Sequence, residues 1–116
     1  LWLNQFVFYN DLKALEDQVQ SFRTLDGKPY NLYKLPLPDA IYDEGERLPA
    51  TYANFLILNG AVIVPTYNQP ENDKQALNII QLAFPNYNII GVNSQTIIRQ
   101  HGSIHCITMQ FPEGVL

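Results

Sequence analysis

An α+β domain is the fold class this sequence predicts, and three observations predict it. Helical and strand patterns follow one another in mixed order along the chain. Two β-rich runs, Thr51 to Leu58 and Ala61 to Thr66, are joined by Asn59-Gly60, the strongest short hairpin signal available, because both residues tolerate positive φ. And 116 residues hold at most one small domain. Residues 51–93 read as one complete strand–strand–helix–strand unit. The segment Asn10 to Leu35 supplies a further helix and strand before it, and a last strand follows it. No residue-level repeat is visible, and on pattern alone an ordinary α+β sandwich reads equally well.

Each element has its own signal. Asn10 is placed to cap a helix whose apolar positions Leu12, Leu15, Val19 and Phe22 recur at helical spacing. Leu25-Asp26-Gly27-Lys28-Pro29 is a turn cluster that should stop it. Tyr30 to Leu35 alternates and reads as a strand, closed by the prolines at 36 and 38. Pro38 to Pro49 is acidic and punctuated, hence a loop. After the hairpin, Leu77, Ile80 and Phe84 form the stripe of a second helix from about Asn72 to Phe84, ended by Pro85-Asn86. Tyr87 to Val92 is another strand, and Ser94 to Arg99 reads as one helical turn. The last strand begins after Gly102. On alternation, Ile104, Cys106, Thr108 and Gln110 share one face, and His105, Ile107, Met109 and Phe111 the other.

Composition narrows the class of function. Apolar residues make up 47% and charged residues 16% of the chain, too hydrophobic a mixture for disorder. A net charge of -4 and scattered Lys and Arg leave no electrostatic footprint for nucleic acid. No apolar run reaches the ~18–20 residues that cross a bilayer, so no membrane partner is expected. The start, Leu1 to Phe6, lacks a basic n-region and a cleavage pattern. With a single thiol, this points to the cytoplasm. The missing initiator methionine suggests a start inside a longer protein.

The single cysteine, Cys106, makes no internal disulfide and no thiolate metal site alone. It is either a buried small hydrophobe or a nucleophile. A hydroxyl and an amide follow it on its own face of the expected strand, which points it toward a polar place. No spacing resembles a zinc, calcium or phosphate-binding loop.

Three stretches carry a resemblance: Glu46-Arg47-Leu48-Pro49-Ala50-Thr51-Tyr52-Ala53-Asn54-Phe55, then Asn59-Gly60-Ala61-Val62-Ile63-Val64-Pro65-Thr66-Tyr67, then His101-Gly102-Ser103-Ile104-His105-Cys106-Ile107-Thr108-Met109-Gln110. In order and spacing they resemble the C-terminal part of the agmatine deiminase family, which includes the Porphyromonas-type peptidyl-arginine deiminases. The resemblance runs over nearly the whole chain from the first helix onward. It implies the pentein fold, five strand–strand–helix–strand modules in a pseudo-fivefold α/β propeller around one funnel. This chain, residues 1–116, would hold only the last modules of that single catalytic domain. Where many agmatine deiminases carry three glycines before the cysteine, this chain reads Gln100-His101-Gly102-Ser103, which leaves the exact substrate open.

The chemistry that the resemblance implies is guanidine hydrolysis, agmatine giving N-carbamoylputrescine and ammonia, as in polyamine synthesis. A guanidinium is a resonance-stabilised cation; carboxylates pin it flat and a thiolate attacks its central carbon. A histidine protonates the leaving ammonia and then deprotonates the hydrolytic water. On the motif, Cys106 is the nucleophile, and its pKa must fall from about 8.5 through nearby positive charge, including the substrate's own. Gly102 would let the backbone come close to the ligand. Asn54, a polar residue among β-formers, either ties neighbouring modules or reaches the substrate. The catalytic histidine and the carboxylates would lie upstream of this chain, and no cofactor is implied.

Other residues carry weaker readings. His105, on the opposite face of the expected strand, reads as a packing or hydrogen-bonding residue. His101 reads as an exposed loop residue, Arg47 and Pro49 as fixing their loop, and Arg99 as solvated unless it turns toward the thiol. Asp39, Asp43, Glu44 and Glu46 form an acidic loop that would attract a cation but more commonly is simply solvated. The same sequence admits a peptidyl-arginine or arginine deiminase, a non-catalytic fragment, or an amidino-transferring pentein. A homo-oligomer also stays open. Alone, one or two modules leave apolar faces uncovered, so the isolated chain is predicted inactive and poorly stable. Trp2 to Phe8 is the expected exposed remnant.

Overall fold

A computed structural model describes residues 2–115, with side chains described from Asn10 onward. The chain divides into two compact units, one ending at Leu32 and the other starting at Tyr33. Trp2 to Phe8, read from sequence as an exposed remnant, therefore lies outside the described side chains.

The first unit is built on helix α1, Trp2–Ser21. Asn10 is not its cap but an interior residue, because the helix extends a further two turns toward the N-terminus. An asparagine in mid-helix costs only a fraction of a kcal/mol, about 0.7 at most, and does not stop a helix that its neighbours favour. Lys13 bridges Glu16 at 3.5 Å and Asp17 at 3.2 Å on the solvated face. The anticipated stripe is exposed, Leu12 at 55%, Leu15 at 54% and Phe22 at 56%. Beyond Ser21 the turn cluster forms as read: Gly27, at φ 78°, donates its N–H to Thr24, and Arg23 and Pro29 make an isolated bridge. The strand expected over Tyr30 to Leu35 is absent. Alternation there has no neighbouring ladder to join, and a strand without one is only extended chain.

The second unit carries two sheets. A two-residue hairpin, β1 (Tyr42–Asp43) and β2 (Glu46–Arg47), lies inside the stretch read as loop. Glu44 and Gly45 have φ of 49° and 86°, the pair of positive values that a tight primed turn requires. The main sheet has the order β3-β4-β5. Strands β3 (Leu56–Leu58) and β4 (Ala61–Thr66) pair antiparallel across Asn59-Gly60, with Gly60 at φ 75°. Helix α2 (Pro70–Ala83) then crosses over to β5 (Asn88–Asn93), which pairs parallel to β4 from Ala61↔Asn88 to Thr66↔Asn93. Strand β3 is shorter than the run Thr51 to Leu58, because residues 51–55 form a turn held by side chains.

Helix α2 covers one face of that sheet. Val62, Val64 and Ile80 are buried together, with Leu77, Phe84, Tyr87 and Ile89 packed against them. Burying each of the aliphatic side chains contributes about 1.5–3 kcal/mol. Phe84 meets Phe55 and Tyr87 edge to face, at 5.8 and 5.7 Å. Gly91 lets the helix come close: a Cβ there would sit 3.0 Å from Thr66 Cγ2 and 3.4 Å from Leu77 Cδ1. A second cluster is buried around Leu48, Tyr52, Tyr67, Ala76 of α2 and Ile98. Ile98, wholly buried in the 3-10 turn Ile97–Gln100, fixes the approach to the cysteine loop. Among the described residues no helix is long and apolar enough to cross a membrane.

Candidate active site

Cys106 does not lie on a strand. It occupies the middle of a 3-10 turn, His105–Ile107. The backbone explains why the alternation misled. The N–H groups of His105 and Cys106 go to Asn54 Oδ1 at 2.8 and 3.4 Å, and those of Ile107 and Thr108 go back to Ile104 and His105. None is left for a β-ladder. The two-face argument about His105 therefore does not apply; His105 and Cys106 are both exposed neighbours on one turn. Gln110, expected beside Cys106, instead donates its amide to the carbonyl of Ile57 on edge strand β3, 2.6 Å away.

The thiol is exposed, but it sits in a built setting. Asn54 Nδ2 donates to Cys106 Sγ at 3.0 Å. The backbone of Ser103 also hydrogen-bonds the sulfur, and this contact is the larger of the two in holding the thiol below its ordinary pKa; desolvation opposes them in part. Hydrogen bonds donated to the charged form favour that form. No charged side chain of the described residues contributes to this lowering. Gly102 is needed for the loop itself: a Cβ there would meet Cys106 Cβ at 2.9 Å and Sγ at 3.7 Å. The close approach at this glycine is between the loop and its own cysteine.

A chain of buried tyrosines holds the two halves of the site in register. Tyr67, 1% exposed, donates its hydroxyl proton to Thr51 O at 3.0 Å and accepts the Thr51 N–H at 3.1 Å. With its only proton so used, Tyr67 accepts from Ser103 Oγ, 3.1 Å away. The phenol thus ties the turn that carries Asn54 to the loop that carries Cys106. Beneath it, Asp73 on α2 accepts from Tyr52 Oη at 2.6 Å and from the N–H groups of Tyr67 and Gln69 at 3.0 and 2.9 Å. Burial, then the adjacent Asp73 carboxylate, push the Tyr52 phenol far up, so it stays protonated. The Tyr52 and Tyr67 rings lie 5.5 Å apart.

Of the residues singled out from sequence, the structure brings together Cys106, Asn54 and Gly102. Others lie elsewhere. Arg99 pairs with Asp43 at 3.4 Å, and Asp39 exchanges backbone hydrogen bonds with the Gln69 amide. His101, exposed and left-handed at φ 64°, lines a cleft with Asp43, Glu44, Glu46 and Arg99. Arg47 and Pro49 are exposed beside buried Leu48. Tyr67, Ser103, Tyr52 and Asp73 were not found by sequence reasoning, although a tyrosine in a strand-rich apolar run always raises the question of where its hydroxyl goes. Among the described residues no group of three His, Cys, Asp or Glu side chains is arranged to hold a metal ion.

The mixed helix–sheet unit matches solved structures of deiminases. The family model described as Porphyromonas-type peptidyl-arginine deiminase matches residues 4–112, and the chain belongs to that family. A relative from Marinomonas sp. (strain MWYL1), named "Putative agmatine deiminase", is 40% identical over 75% of this chain and 28% of its own length. A crystal structure titled as the "Putative Arginine Deiminase" of Porphyromonas gingivalis superposes with a TM-score of 0.85 at 51% identity, covering 91% of this chain and 31% of that one. The agmatine deiminase of Enterococcus faecalis superposes with a TM-score of 0.74 at 31% identity, over 84% of this chain and 31% of that one. The chain thus spans less than a third of the length of each of these relatives.

Proposed function

We propose that this chain carries the nucleophile of a guanidine hydrolase that converts agmatine to N-carbamoylputrescine and ammonia. The observation that supports this most is the Cys106 loop, whose sulfur is exposed and receives hydrogen bonds from Asn54 and Ser103. A structural cysteine is usually buried among aliphatic neighbours and inert. The Cys106 thiolate attacks the central guanidinium carbon, forming a C–S bond and a tetrahedral adduct. The adduct expels one nitrogen as ammonia once a histidine has protonated it. The same histidine then takes a proton from water, which adds to the amidino-thioether carbon. Breaking the C–S bond releases the substituted urea and regenerates the thiolate. Cys106 is the catalytic residue of this chain; Gly102 and Asn54 flank the place where the guanidinium would lie. The histidine and the carboxylates that flatten the cation belong to the rest of a pentein domain of which this chain is the C-terminal portion, residues 51–93 forming one module.

The family description favours a second reading, a peptidyl-arginine deiminase, with the same cysteine chemistry on a larger substrate. Ammonia release by the full-length protein from agmatine, free arginine and an arginyl peptide separates the two. Agmatine is expected to be turned over fastest, and the Cys106→Ser variant to release none. Turnover of the peptide alone would replace the agmatine reading. Unchanged turnover by Cys106→Ser would remove both.

A further inference from the structure

Asn54 meets the cysteine turn with both ends of its amide. Its Oδ1 accepts the backbone N–H of His105 at 2.8 Å and that of Cys106 at 3.4 Å, while Nδ2 lies 3.0 Å from Cys106 Sγ. A flipped amide would set its NH2 against two N–H donors, so these two groups fix the orientation. An amide nitrogen donates and has no acceptor capacity. A thiol proton directed at it would find no lone pair, so the sulfur accepts here, and a thiolate accepts more strongly than a neutral thiol. His105 and Cys106 are also the first residues of a 3-10 turn, whose N–H groups have no partner within the turn. Asn54, more than fifty positions earlier in sequence, satisfies them.

We propose that Asn54 is a positioning residue that holds Cys106 as a thiolate, its donor end locked onto the sulfur by the two backbone N–H groups at its other end. The proposal rests on the reading of Cys106 as the nucleophile and assigns the side chain that, beside the backbone of Ser103, favours the charged form before substrate arrives. It also gives Asn54 a role other than contact with the substrate. The titratable and charged side chains flanking the cysteine in sequence are otherwise engaged or exposed. Arg99 is paired with Asp43, and His101 and His105 are exposed. Tyr67 meets the loop at Ser103 Oγ and spends its proton on Thr51.

Two substitutions separate the parts of this role. Asn54→Asp keeps an oxygen for the two backbone N–H groups, so the turn stays pinned, but replaces the donor facing sulfur with an acceptor bearing charge. Asn54→Ala removes both side-chain contacts and leaves the His105 N–H the backbone carbonyl of residue 54, 3.3 Å away. The probe is iodoacetamide, neutral and unrelated to any guanidine, and the readout is the alkylation rate of Cys106 in the full-length protein against pH, followed by peptide mass spectrometry. The wild-type midpoint is expected below the ordinary thiol value of about 8.5. Asn54→Asp should raise it by about one unit or more, a tenfold loss of thiolate at fixed pH below both midpoints. Asn54→Ala should raise it less. A midpoint in Asn54→Asp that coincides with wild type or falls below it overturns the proposal; should Asn54→Asp not fold, an unmoved midpoint in Asn54→Ala does the same. Because no substrate is present, this result is independent of the agmatine assay. A shifted midpoint with no ammonia release would sink the functional reading and leave the role of Asn54 standing.

Discussion

Gly102 lies where the cysteine loop folds back on itself, and a methyl group there would meet Cys106 Cβ at 2.9 Å. Backbone on both sides has to give way, so Gly102→Ala is predicted to move the sulfur rather than unfold the protein. A misplacement of about 1 Å at a nucleophile costs on the order of 10²-fold in rate. Steady-state ammonia release should fall by about that factor with little change in melting temperature. Tyr67→Phe tests the strap. It leaves Thr51 O, Thr51 N and Ser103 Oγ without their buried partner, and should cost about 1–3 kcal/mol in denaturant unfolding. A loss under a few tenths would mean that water replaces the phenol freely. At this scale the cysteine stood out as a candidate because a lone thiol near a glycine admits few roles. Asn54 stood out as a polar residue among strand formers, but its partner more than fifty residues away is a property of the folded chain. Tyr67 raised the question of a hydroxyl partner but, like Asp73, left no local sign of which, since their bonds cross between a strand end, a helix and two loops.

The elements divide by how local their cause is. Asn59-Gly60 and the stripe of α2 carry their own instructions, turn chemistry in one case and a 3.6-residue period in the other, and both formed where read. Gly60 has φ 75° with nothing within 4 Å of a Cβ placed there. Gly60→Ala should therefore cost about 1–2 kcal/mol from backbone conformation alone, measured by chemical unfolding; a loss of 4 kcal/mol or more would show that the hairpin meets something else. The strand expected over Tyr30 to Leu35 and the one expected around Cys106 failed for a single reason. Alternation records which side chains point the same way, not whether another strand is there to receive the N–H groups. In the cysteine segment Asn54 and the turn itself took those groups first. The small β1–β2 hairpin was missed because Glu44-Gly45 is a weaker turn signal than Asn-Gly.

On the scale of the molecule, apolar surface is left uncovered in each unit. Leu12 and Leu15 on α1 and Phe22 just beyond it are more than half exposed, and Ile90 and Val92 are exposed at 45% and 37% on edge strand β5. Patches of this kind favour association. The 116-residue chain alone is predicted to show concentration-dependent self-association by sedimentation and to release no ammonia from agmatine; a monodisperse, active chain would contradict this. The relatives are about three times as long, and the proposed chemistry needs a histidine and carboxylates beyond this segment. The most direct test of the whole account is to mix the full-length protein with agmatine, quench in acid within a turnover, and weigh the cysteine peptide. The account predicts that Cys106 gains the mass of agmatine less one ammonia, and that Cys106→Ser gains nothing. Ammonia formation at wild-type rate with no adduct on Cys106, or by the serine variant, would contradict it.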